Sequence, residues 1–165
     1  MKIGIIGPNT LKNASKRQLE ERKNNLSKVA EIISKLGFEI VLTPDKKSLL
    51  EFFGKEYLGF KGKKIWIVAP MEDDAEKYLN LKIGQIINCN NWYRQPSKFS
   101  EESDLYLCIG YSPGVLSEIG ASGYFNPKKI IVIRDFISSK LPSEIEYSLK
   151  IEYVFLKDLE KSLKI

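Results

Sequence analysis

The sequence predicts a three-layer α/β fold built on a mostly parallel, doubly wound sheet, and three observations predict it. Short apolar runs rich in Ile and Val recur along the chain, among them "KIGII", "FEIVL", "KIWIVA", "DLYLCI" and "KIIVI". They are bounded by Gly, Pro or Asn, as strands are. Helical spacing separates them, most clearly at Leu19, Leu26, Val29, Ile33 and Leu36, with Gly37 placed as a C-terminal stop. Strands that are apolar on both faces and alternate with helices imply a parallel sheet covered on both sides. Right-handed crossovers then make the topology Rossmann-like. Ligands of such sheets bind beyond the carboxyl ends of the strands, where the strand order reverses.

In chain order, strands are expected at Lys2–Ile6, 38–42, 64–69, 85–89, 104–109, Lys129–Ile133 and a short 153–155. Helices are expected around 19–36 and at 48–53, 93–102, 112–122, 143–149 and 156–163. Residues 1–165 read as one domain, because neither a linker nor a repeat interrupts this alternation.

Composition narrows the function classes. At 165 residues with 43% hydrophobic and 28% charged content, the chain has the make-up of a soluble globular protein. No apolar run reaches the ~20 residues that span a bilayer. The first apolar run is too short for a signal peptide, so a cytoplasmic location is expected. Cys89 and Cys108 are the only cysteines, and histidine is absent. Both thiols are expected to be reduced, with no metal and no resident cofactor. A Ser-His-Asp triad and any histidine general base are excluded.

The formal charge is +5, but lysines are scattered and "KNASKRQLEERKNNLSK" mixes both signs at helical spacing. That pattern reads as a solvated helix face and disfavours nucleic acid as a partner. A modest positive field suits a small phosphorylated ligand instead.

The chemistry concentrates after the run at 104–109, in "CIGYSPGVLSEIGAS". Ser112 suits an N-cap, Pro113 the first helical position, and Gly114 the first turn. A helix that starts there presents N–H groups and a positive dipole end to an anion. Gly114 lets a ligand approach the backbone. Glu118 follows four residues later, on the same helix face. Gly7 and Asn9 end the first strand, which borders the switch point, so their turn is expected to face the Ser112 turn across one crevice. Arg94 offers a bidentate phosphate grip, with Lys98 one turn on. Trp92 and Tyr93 adjoin Arg94 and are candidates for base stacking, although aromatics in an α/β protein are more often core or interface anchors. Trp66 and Met71 read as structural, and the acidic 71–74 stretch as a solvated helix start.

The Gly110 to Ile119 stretch resembles the signature of the LOG (LONELY GUY)/lysine-decarboxylase-like family of Rossmann nucleotide-binding proteins, in which Gly-Gly-x-Gly-Thr-x-x-Glu follows a strand. Gly110, Gly114, Leu116, Ser117, Glu118 and Ile119 fall on that pattern, and Arg94 stands ten residues before Asp104, as the family's arginine does. Molybdenum-cofactor carrier-like proteins share the signature. "IIGPN" and "EIGA" are also similar to pieces of nucleoside 2-deoxyribosyltransferase-like proteins. Tyr111, Ser112 and Val115 depart from the LOG pattern, and "TPDKKSL" stands where a second Gly-rich loop is usual.

The resemblance implies a nucleotide- or nucleoside-binding homodimer. Glu118 and Arg94 would act catalytically, and Gly7, Asn9, Gly110, Ser112, Gly114 and Lys98 would bind nucleotide or phosphate. The implied reaction is N-glycosidic cleavage or glycosyl transfer, in which a carboxylate steadies an oxocarbenium-like sugar. A non-catalytic nucleotide or cofactor carrier, or a sensor, on the same fold is the alternative.

Overall fold

The computed structural model describes residues 1–124 and 128–164. Its strands are β1 (Lys2–Ile6), β2 (Glu39–Leu42), β3 (Ile65–Ala69), β4 (Gln85–Asn88), β5 (Leu105–Cys108), β6 (Lys129–Ile133) and β7 (Lys150–Val154). They form one sheet in the order β4-β3-β2-β1-β5-β6-β7, and every neighbouring pair is parallel. The chain steps outward from β1 to β4 and then returns to lay β5 beside β1. The order therefore reverses between β1 and β5, which is the switch point the sequence anticipates.

The helices are α1 (Lys16–Lys35), α2 (Leu49–Gly59), α3 (Ala75–Tyr78), α4 (Gln95–Glu102), α5 (Pro113–Tyr124), α6 (Ser143–Glu146) and α7 (Leu159–Leu163). Alternation along each strand builds two cores. Ile3, Ile5, Leu105 and Leu107 pack with Leu26, Val29, Phe53 and Leu159 on the α1, α2 and α7 side. Tyr106 and Cys108 face the other way, onto Phe99 of α4 and Val115 and Ile119 of α5. Each such fully buried side chain contributes about 1.5–3 kcal/mol by leaving water, so both faces of the sheet must be covered.

Local signals fix α1 at both ends. Ser15 accepts from Gln18 N, while the Gln18 side chain accepts from Ser15 N, a reciprocal capping box. At the other end Gly37 adopts φ 70°, Gly37 N donates to Ser34 O, and Phe38 N donates to Ile33 O. These bonds form a Schellman stop, which needs a left-handed residue where Gly37 stands.

Several expected bounds change. The helix expected at 48–53 continues through Gly54 to Gly59. A Cβ on Gly54 would come within 2.8 Å of Ile83 and 3.1 Å of Leu42, so this glycine serves close packing rather than helix termination. The last strand covers Lys150–Val154 instead of 153–155, because β6 pairs with it residue for residue from Lys129↔Lys150 to Ile133↔Val154. The helix expected over 143–149 shortens to Ser143–Glu146 as a result. Among the described residues no helix is long and apolar enough to cross a membrane.

Candidate functional site

At the switch point Ile6 pairs with Cys108, and Ile109 N donates to Ile6 O at 2.9 Å. The two turns that follow, at 7–9 and 110–112, leave the sheet side by side. Ser112 caps α5: its hydroxyl accepts from Val115 N at 3.2 Å and its carbonyl from Leu116 N at 3.0 Å, with Pro113 as the first helical residue. Between the turns lies a cavity of about 230 Å³. Gly7, Asn9, Ser112, Gly114 and Glu118 line it, together with Thr43, Asp45, Leu50, Trp92 and Gln95. The structure thus gathers five of the eight nominated residues at one opening.

Glu118 is half-buried as a residue, open to the cavity on one side, and its carboxyl group is packed deeply. Burial pushes that carboxyl up to about 7, opposed only by a hydrogen bond from Gln95. Gln95 is 7% exposed and its Nε2 donates both to Glu118 Oε1 at 3.2 Å and to Thr43 Oγ1 at 2.9 Å. Thr43 in turn donates to Val68 O at 3.2 Å. This chain orients the amide, because both of its N–H bonds are committed and its nitrogen must face the carboxyl. Asp45, which also lines the cavity, accepts from the Asn9 side chain, and desolvation raises its carboxyl as well.

Gln95, Thr43 and Asp45 are functional candidates that the sequence reading passed over. A signal for Gln95 was present. Phase α4 on its fully buried anchor Phe99, and the inward residue one turn earlier is Gln95. Arg94, its neighbour, is exposed and rotated away. Arg94 and Lys98 line a separate cavity of about 160 Å³ with Asn88, Cys89, Asn90, Ser97 and Glu101. Lys98 pairs there with Glu101 at 3.3 Å and Glu102 at 2.8 Å. Neither cation shares an opening with Glu118.

The glycines divide by role. Gly110 has φ 127°, and a Cβ there would meet Arg22 Nη1 at 2.9 Å and Pro8 at 3.1 Å. Arg22 is the reason for that crowding, since its guanidinium donates to Ile109 O and Phe136 O, both at 3.1 Å. A Cβ on Gly7 would come within 2.5 Å of Ile109. Both glycines therefore let the β1 and β5 turns pass each other. Gly114 differs, because the nearest heavy atom to its added Cβ is Ser112 Oγ at 3.8 Å, and the space beyond opens into the cavity.

The α5 terminus leaves few of its first N–H groups free. Pro113 has no N–H, and the N–H of Val115 is held by Ser112. Val115 itself is 1% exposed and packs into the core. Among the described residues no lysine or arginine lines the Glu118 cavity. The site's wall sets two acids, Asp45 and Glu118, among polar and apolar side chains. Trp92 forms part of it, whereas Tyr93 is 95% exposed and outside it. Asp73 accepts from Trp92 N at 2.7 Å and so positions the Trp92 loop, while Asp74 pairs locally with Lys77. The Cys89 thiol is pushed up to about 11 and the Cys108 thiol to about 12 by burial, which makes both unreactive.

Fold and site together define a Rossmann-like α/β protein with a switch-point cavity that holds two carboxyl groups. Solved structures share the architecture over 99% of this chain. The Moco carrier protein of Chlamydomonas reinhardtii matches with a TM-score of 0.76 at 13% identity over 94% of its own chain. The molybdenum cofactor binding protein of the phototrophic bacterium Rippkaea orientalis matches with a TM-score of 0.75 at 15% identity, also over 94% of its chain. A structural-genomics target matches with a TM-score of 0.74 at 12% identity over 98% of its chain. No protein-family model matches the chain, and no curated protein matches it by sequence at a significant level.

Proposed function

We propose that this chain is a small-molecule carrier or sensor that holds the ring end of a nucleotide-like or cofactor-like ligand against Glu118. The observation that carries this reading is the Val68–Thr43–Gln95–Glu118 hydrogen-bonded chain, which ends in a carboxyl group raised to about 7 in a cavity lined, among the described residues, by no lysine or arginine. That upward shift makes the protonated form of the carboxyl accessible near neutral pH. A protonated carboxyl donates one hydrogen bond and accepts another, which fits the paired donor and acceptor on a heterocycle's edge. Two of the similar solved structures are described as a carrier and a binder of molybdenum cofactor, which supports the class of ligand.

A thermal-shift screen of nucleosides, nucleotides and molybdenum cofactor tests the reading, because a ligand that binds the folded state stabilises it by mass action. A stabilising ligand should lose its effect in Glu118→Leu and keep it in Glu118→Gln, since glutamine still donates and accepts. No stabilisation by any member of the panel rejects the proposal.

One observation favours N-glycosidic cleavage or glycosyl transfer as a second reading. Asp45 and Glu118 face the same cavity, both with raised carboxyls. Glu118 would protonate the leaving base, a role that a group titrating near the working pH performs best, and Asp45 would support the attacking oxygen. Base release from a bound nucleoside or nucleotide, reduced about 10²- to 10³-fold in Glu118→Gln, would select this reading. Binding without release selects the carrier.

The same proposal includes a homodimer formed through α5. Leu116 and Tyr124 are exposed on one stripe of that helix, with Gly120 between them. Light scattering on the purified protein checks it. A cytoplasmic location completes the proposal, supported by two free, buried thiols.

A further inference from the structure

The Glu118 cavity is too small for a whole phosphorylated ligand. Its 230 Å³ falls below the ~300–1,000 Å³ of ordinary ligand pockets. Its wall also offers no cation to a phosphate. Both deficits are met next door.

Asn9 is exposed and borders a second cavity of about 380 Å³ on the α1–α2 side of the same sheet edge. Lys12, Lys23, Lys47 and Lys55 converge on it, against a single carboxylate, Glu51. Glu51 is already engaged by Lys55 at 3.1 Å, by Asn80 Nδ2 at 2.7 Å and by Lys47 N at 2.7 Å. Lys23 stands over the Phe52 ring at 5.4 Å. Among the described residues Lys12, Lys23 and Lys47 make no ion pair. Three unneutralised ammonium groups around one hollow raise the local potential and attract a multiply charged anion. Asn9 is a sill between the two hollows, held in place by its bond to Asp45 and by Leu49 N, which donates to Asn9 O at 2.9 Å.

We infer that the cavity of Lys12, Lys23 and Lys47 is the subsite for the phosphoryl groups of the ligand, whose uncharged ring end lies across Asn9 in the Glu118 cavity. The inference rests on the binding reading above and names the ligand's class: a ring compound that carries at least one phosphoryl group, with the charge on the α1–α2 side and not at the α5 terminus. Lys12 and Lys47 are exposed and Lys23 is half-buried over Phe52, and glutamine keeps much of each aliphatic stem, so the fold should survive their replacement.

The test uses inorganic pyrophosphate as the probe, titrated calorimetrically into the wild-type protein and into the triple variant Lys12→Gln, Lys23→Gln, Lys47→Gln. Circular dichroism of both confirms equal folding. Binding to the wild type should weaken with added salt and fall at least tenfold in the variant, while Glu118→Leu leaves it unchanged. Failure of pyrophosphate to bind the wild type, or equal binding to the triple variant, overturns the inference. A second arm takes whichever nucleotide the thermal-shift screen identifies and compares it with its dephosphorylated nucleoside. The triple variant should weaken the nucleotide at least tenfold and leave the nucleoside unchanged. If pyrophosphate binds as expected but displaces no nucleotide, the subsite serves a separate phosphorylated molecule, and the claim that one ligand spans both cavities is wrong. If no ring compound binds at all, the binding reading fails while the pyrophosphate result still stands.

Discussion

Gln95 Nε2 lies 3.2 Å from Glu118 Oε1, and this hydrogen bond is the one interaction that offsets the burial of the Glu118 carboxyl. With the folded-state value near 7 and the unfolded value near 4.5, the unfolded chain releases the Glu118 proton first as pH rises. The folded state therefore loses stability from about pH 4.5 to about pH 7 and is flat above that. The ceiling on the loss is about 3 kcal/mol, and water admitted by the open cavity lowers it. Desolvated Asp45 acts in the same direction. Glu118→Gln removes the Glu118 part. Its melting temperature should exceed that of the wild type at pH 8 and approach it at pH 4, which thermal denaturation across pH measures directly.

Replacing Gln95 with leucine removes the only contact that lowers the Glu118 value. The carboxyl should then titrate above the wild-type midpoint, followed through the ¹³C shift of its side-chain carbon. Thr43→Val should do less. It frees the Gln95 amide from its anchor but leaves the donor beside Glu118. A downward shift in Gln95→Leu would show that the amide does not oppose burial in solution.

The sequence disclosed the scaffold more fully than the site, for physical reasons that particular residues show. Apolar runs, the Gly37 stop and the Ser112-Pro113 start are local signals, each written within a few residues of the feature it produces. The Glu118 cavity was legible to the extent that strand exits at the switch point carry it, which brought Gly7, Asn9, Ser112 and Gly114 into view. The partners of Glu118 were not. Gln95 and Thr43 reach it from α4 and the β2 exit, 23 residues apart from Glu118 in the first case. Which of Arg94 and Gln95 faces inward is a matter of helical phase, and that phase is fixed by the tertiary burial of Phe99. A motif spacing cannot resolve a single residue's rotation of about 100°.

Arg22 should behave as a structural latch. Its guanidinium closes the carbonyls of Ile109 and Phe136, and burial lowers its affinity for protons without any carboxylate to compensate. Arg22→Leu leaves both carbonyls without this donor and removes the stacking over Phe136, whose ring centre is 5.2 Å from the guanidinium. Loss of two charge-assisted hydrogen bonds costs about 3–6 kcal/mol. Urea denaturation should show that fall in stability, with slope unchanged. A variant as stable as the wild type would mean that water replaces the guanidinium at no cost.

Gly110 and Gly114 stand four residues apart in one motif, yet alanine should act on them in opposite ways. At Gly110 a methyl meets the Arg22 guanidinium and Pro8 while φ stays at 127°, a conformation that L side chains rarely adopt. The backbone strain alone is of the order of 1–3 kcal/mol, and the displaced latch adds to it. Gly110→Ala should therefore lower the melting temperature, and ligand binding only in proportion to unfolding. At Gly114 the methyl finds no heavy atom closer than 3.8 Å and extends into open cavity. Alanine also favours a helix over glycine, so Gly114→Ala should hold or raise the melting temperature. Its effect falls on whatever occupies the cavity. A ligand that approaches the α5 backbone at Gly114 must be pushed out by the methyl, and its affinity should drop at least tenfold in a protein as stable as the wild type. Unchanged affinity in Gly114→Ala would place the ligand away from the α5 turn, against Asp45 and Trp92 instead.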